Sequence, residues 1–144
     1  MTRPLPQRDY GFSAVIAAPY TEAVARAKAA LKTEGFGVIT EIDVQDTIKQ
    51  KLGLDFQQYV ILGACNPRLA HRALQSDFGV GLLLPCNVTV YDNGDGTSTI
   101  EALNPEAALG IVGDNAELKS VASEALNGLK RALATFAAPA QVEA

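Results

Sequence analysis

Apolar residues recur along the chain in two rhythms, a period of two that marks strands and a period near 3.6 that marks helices. Residues 12–18 form a short apolar stretch containing Val15 and Ile16, as a strand does. Pro19 follows where a helix can begin, because its missing N–H costs nothing in a first turn. Residues 21–33 carry Val24, Ala27 and Leu31 at helical spacing, and Gly35 supplies the stop. Alternation returns over 36–42, with Phe36, Val38, Thr40 and Ile42 expected on one face and Glu41 on the opposite, solvated one. Asp43 is placed to cap a short helix over 44–52, whose inner face would be Val44, Ile48 and Leu52, and Gly53 ends it.

Residues 59–65 are apolar without a break, the pattern of a strand covered on both faces. Asn66-Pro67 then reads as N-cap and first residue of a helix running to about Leu74, with Leu69, Ala70, Ala73 and Leu74 inward. A second apolar run covers 80–91 and contains Pro85, which within a strand marks a bulge or an edge. Asp92-Asn93-Gly94-Asp95-Gly96 is a hairpin turn, and 98–103 is the return strand, with Ser98, Ile100 and Ala102 opposite Thr97, Thr99 and Glu101. A short helix is expected over 105–112. In the final segment Leu118, Val121, Ala122, Ala125, Leu126, Leu129, Leu133 and Phe136 form one stripe, with Asp114 or Asn115 as N-cap. The elements spell an α+β domain, β-α-β(4)-α, with two principal helices on one face of a mainly antiparallel sheet and short helical insertions. The domain spans 10–136; 1–9 and 137–144, each with proline, are expected to be flexible termini.

Composition narrows the function classes. With 144 residues and 48% hydrophobic, the chain is one domain with a full core and is not disordered. A net charge of −4 and a pI near 4.9 argue against nucleic acid as a partner, since that needs clustered Lys and Arg. No apolar run approaches the ~20 residues that cross a bilayer, so no membrane role is expected. With no signal-peptide pattern, the expected location is cytoplasmic. Two cysteines make no disulfide framework. Neither G-x-x-x-x-G-K nor G-x-G-x-x-G is present.

The chemically distinctive side chains are few and close in sequence: Cys65, His71 and Cys86. Cys65 lies just before a helix N-terminus, where the dipole favours a thiolate and lowers the thiol pKa. If the strands bearing the two cysteines are neighbours, two sulfurs and one imidazole could converge as ligands for Zn(II) or Cu(I). The same trio suits thiol chemistry, with Cys65 as nucleophile, His71 as base and Cys86 as resolving partner. Equally, cysteine is among the most buried residue types and all three can be structural. Asn66 and Asn87 serve as backbone partners or as ligand donors.

Tyr10-Gly11-Phe12, Glu34-Gly35-Phe36-Gly37-Val38, Thr40-Glu41-Ile42-Asp43-Val44, Leu62-Gly63-Ala64-Cys65-Asn66-Pro67, Ala70-His71 and Gly81-Leu82-Leu83-Leu84-Pro85-Cys86-Asn87-Val88 together resemble the bacterial family called domain of unknown function 302. The resemblance implies a fold like that of the TATA-binding protein, and a homodimer; the family's biochemical role is not established. Likeness of fold to a DNA-binding protein carries no function without the basic surface. The expectation is a cytoplasmic homodimeric module that binds a small ligand or soft metal through Cys65, Asn66, His71, Cys86 and Asn87. The alternatives are a thiol-dependent enzyme or redox protein and a purely structural, protein-interaction dimer.

Overall fold

The computed structural model of the protein describes residues 8–143, with side chains as far as Phe136. Its elements are β1 (Gly11–Ile16), α1 (Tyr20–Thr33), β2 (Gly37–Asp43), α2 (Val44–Leu52), β3 (Tyr59–Cys65), α3 (Pro67–Ser76), β4 (Cys86–Asp92), β5 (Ser98–Leu103), α4 (Pro105–Leu109) and α5 (Ala116–Glu143). Short 3-10 segments occupy Phe78–Leu83 and Gly110–Val112. The strands pair in the order β1-β5-β4-β3-β2, and every neighbouring pair is antiparallel. Four reversals leave β1 and β2 pointing the same way at opposite edges. The chain between them must therefore cross the sheet, and α1 makes that crossing.

Strand alternation sorts the two faces. Val60, Leu62 and Ala64 of β3, Val88 and Val90 of β4, and Ile100 and Ala102 of β5 are buried beneath the helices. Ala23, Ala27 and Leu31 of α1 meet them, as do Leu69 and Ala73 of α3. The predicted stripe of α5 is buried from Leu118 to Phe136. Asn115 Oδ1 caps that helix by accepting from the Leu118 N–H at 3.0 Å. Arg72 of α3 reaches Glu117 at 3.2 Å and Glu124 at 2.7 Å, fastening α3 to α5. Ser13, Thr89, Tyr91, Thr99 and Glu101 register with one another on the sheet's other face, which is left uncovered by α1, α3 and α5.

The structure departs from the sequence reading at several points. β2 is bulged: Val38 pairs with Ala64 but Thr40 pairs with Gly63, so Ile39 is the extra residue. Thr40 and Ile42 thereby turn to the face opposite Val38. Glu41 comes round to Val38's side and pairs with Lys28 of α1. β3 is covered on one face only, and Tyr59 and Ile61 are half-buried on the other. The run 80–91 is not one strand, because Phe78–Leu83 coils as 3-10 and β4 starts at Cys86. Pro85, joined to Leu84 by a cis peptide, thus stands just ahead of a central strand rather than inside an edge. Leu52, expected inward, is 67% exposed. Helix α5 is described as far as Glu143; of the termini expected to be flexible, residues 1–7 and 144 lie outside the described residues.

Gly63 marks the tightest packing of the sheet. A Cβ there would collide with Thr40 Oγ1 and lie 2.9 Å from Pro85 Cγ. Gly63→Ala is expected to lower stability in denaturant unfolding by about 1–3 kcal/mol, as overpacking does. Adding Thr40→Ala should restore only part of that loss, because the Pro85 ring remains. Full recovery in the double variant would contradict this packing.

Candidate functional site

β3 and β4 reach the same end of the sheet, where Ala64 registers with Cys86. Just beyond, Cys65 passes the chain into α3 through Asn66, whose Oδ1 accepts from the Leu69 N–H at 3.3 Å, and Pro67 fills the first helical position. Gly35 allows this cap to close. It has φ +82°, and a Cβ on it would lie 3.2 Å from Asn66 Nδ2. Cys86 arrives from the opposite direction, out of the 3-10 segment and Leu84-Pro85.

Between this sheet end, α3, α4, α5 and the 3-10 segment lies a cavity of about 280 Å³. Cys65, Asn66 and Cys86 line it, together with Phe36, Leu69, Leu83, Leu84, Pro105 and Val121. The space exists because small residues meet where the elements converge: Ala64, Ala70, Ala73, Gly81, Ala108 and Ala125 all face it. Apart from Asn66 and the two thiols, the lining side chains are hydrocarbon.

The predicted site residues separate into three groups. Cys65, Asn66 and Cys86 are brought together at the cavity. His71 is not: it lies two residues from both Leu69 and Ala73, about 200° round the helix from each, and so points to solvent. Asn87 follows Cys86 in β4 and alternates to the uncovered face. Among the described residues no group of three or more His, Cys, Asp and Glu side chains could hold a metal ion. Cys65, His71 and Cys86 therefore do not form the three-ligand set expected from the sequence. His71 is likewise out of place as a base for Cys65.

Both cysteines are free thiols. Burial pushes the Cys65 thiol up from its ordinary value. Burial does so more strongly for Cys86, with a smaller contribution from neighbouring Cys65, and raises it to about 11. This reverses the expected activation by the helix N-terminus: loss of hydration opposes the thiolate.

Sequence reasoning missed two features. The apolar wall from α4 and α5 is written as ordinary core periodicity. The second is a polar cluster on the uncovered face, where Glu101 accepts from Arg8 Nε at 2.8 Å, Ser13 Oγ at 2.8 Å and Tyr91 OH at 3.2 Å. Only the placement of Glu101 opposite Ile100 and Ala102 hinted at it.

A proton held more tightly in the folded state stabilises the fold until pH passes the folded pKa. The Cys86 contribution should thus be full below the ordinary thiol value near 9 and disappear as pH rises towards about 11. Alkylation by iodoacetamide at pH 8 should be slower for both thiols in the native protein than in urea. Native alkylation as fast as in urea would contradict the assigned burial.

The model of the family described as Domain of unknown function DUF302 matches residues 12–136. A crystal structure of an uncharacterized conserved DUF302 protein from Bacillus stearothermophilus is similar to this chain, with a TM-score of 0.80 and 33% sequence identity. The likeness covers 90% of this chain and 99% of that one. No curated protein matches the chain. The chain belongs to the family of domain of unknown function DUF302.

Proposed function

We propose that the protein is a binding module for a small, largely apolar molecule seated between the end of β3 and β4 and helices α3 and α5. The observation that carries this reading is the cavity itself, about 280 Å³ with walls that are almost wholly hydrocarbon. An apolar cavity of about 150 Å³ already stays dry and takes benzene, so this one, just below the roughly 300–1,000 Å³ of ligand sites, suits a somewhat larger body. Asn66 spends its oxygen on the helix cap, and two protonated thiols offer soft, weakly polar contact rather than charge. The raised thiol pKa values favour binding over the nucleophilic or redox alternative. Free thiols also suit the reducing cytoplasm. Among the described residues no helix is long and apolar enough to cross a membrane.

The reading includes a homodimer, supported by the β2 edge. Among the described residues β2 pairs on one side only, and exposed Ile39, Ile42, Leu52, Leu54 and Phe56 all lie on it or between it and β3. An antiparallel edge meeting its own copy across a two-fold axis is self-complementary, and joining two such edges satisfies the unpaired backbone groups.

Titration with the uncharged fluorophore N-phenyl-1-naphthylamine tests the cavity. The wild type should show saturable, one-to-one enhancement. Ala108→Leu and Ala125→Leu, which fill the space, should weaken it at least tenfold while retaining cooperative unfolding. Absence of saturation in the wild type, or equal binding by the filled variants, would overturn the reading. Light scattering on a sizing column tests the edge separately: a dimer for the wild type and a monomer for Ile42→Lys/Leu54→Lys, neither of which lines the cavity. A monomeric wild type at micromolar concentration contradicts the dimer.

A further inference from the structure

The uncovered face of the sheet carries a second, chemically different depression of about 300 Å³, lined by Arg8, Tyr10, Tyr59, Asn87, Thr89 and Glu101 among others. Its position follows from strand register. Thr89 pairs with Glu101, Ser13 pairs with Glu101 across the other side of β5, and Tyr91 pairs with Tyr59. Gly11 of β1 lies at its rim and has no side chain to fill it.

The charges at this place are already spent on each other. The Glu101 side chain is only 14% exposed. Its two oxygens accept from Arg8 Nε at 2.8 Å, a second Arg8 nitrogen at 3.4 Å, Ser13 at 2.8 Å and Tyr91 at 3.2 Å. A carboxylate has about four lone-pair sites, and four donors fill them. Arg8 uses three of its five N–H groups, two on Glu101 and one on Tyr10 OH at 3.2 Å. Among the described residues, two guanidinium N–H groups remain without a partner. Asn87, exposed, and Thr89, half-buried, stand in the same groove outside this hydrogen-bonded set. Tyr59, stacked on Tyr91 with centroids 5.3 Å apart and planes 5° apart, makes a rigid wall with a hydroxyl at its tip.

We propose that this groove is a binding site for an uncharged polyhydroxy ligand of monosaccharide size. Arg8 and Glu101 cancel, so a charged ligand entering the groove would lose hydration without a net countercharge to replace it. The groups left free are mixed. Guanidinium N–H groups only donate, whereas the Asn87 amide and the Thr89 and Tyr59 hydroxyls both donate and accept. Hydroxyl groups satisfy both kinds at once, and the Tyr59 wall accepts the C–H side of a sugar ring. The sheet lies between this groove and the apolar cavity, and Leu103 is the one residue that lines both.

Saturation-transfer NMR on the full chain tests this with methyl α-glucoside, methyl α-galactoside and methyl α-mannoside as probes and acetate as the charged control. At least one glycoside should give a saturable signal that the fluorophore of the apolar cavity does not displace. Asn87→Ala and Thr89→Val, both on the uncovered face, should each weaken it at least fivefold without moving the melting temperature by more than a few degrees. The proposal is overturned if no glycoside saturates, if acetate binds more tightly than every glycoside, or if both variants bind as the wild type does.

Discussion

The register of β3 against β4, with Val60 on Val90, Leu62 on Val88 and Ala64 on Cys86, decides where the rest of the molecule goes. A slip of one residue would turn either Leu62 or Val88 away from the helices and leave the core without half of its centre. Because the register holds, both strands reach the same end of the sheet together, and the chain leaves or enters through tightly constrained corners. Asn66 closes one corner as a helix cap. Pro85 closes the other by lying against Gly63, where no side chain stands between them. The cavity is the space these two corners leave when α3 and α5 pack on them through alanine rather than through larger side chains.

The same alternation gives the two faces opposite chemistry. Cys86 points with Ala64 towards the helices, and loss of water there raises its pKa to about 11. On the uncovered face, burial alone would raise the Glu101 carboxyl, yet donors from Arg8, Ser13 and Tyr91 hold it below the usual range. The difference is hydrogen bonding: a carboxylate with its lone pairs filled tolerates partial burial, and a thiolate without donors does not.

Much of the fold was legible because its signals are local. The α5 stripe, the Asp43, Asn66 and Asn115 caps and the 92–96 turn each rest on residues within a few positions of one another. The bulge at Ile39 was not legible, since one extra residue changes register without changing composition. The 3-10 segment was hidden for a related reason: an apolar run is ambiguous between strand and turn until its partners are known. At the site, Cys65, Asn66 and Cys86 were found as a group because rare residue types stand out. His71 was wrongly included because sequence proximity says nothing of which way a helix faces. The Arg8–Glu101 pair, 93 residues apart, had no local signal at all.

The central claim is that the meeting of β3, β4, α3 and α5 leaves an apolar space that a small molecule can occupy. Diffraction from crystals under xenon pressure tests it most directly, because xenon reports apolar volume without any assumption about the natural ligand. The account predicts a xenon site among Ala73, Cys86, Val121 and Ala125, with the surrounding side chains unmoved. A structure in which those side chains close on one another and xenon binds elsewhere would contradict it.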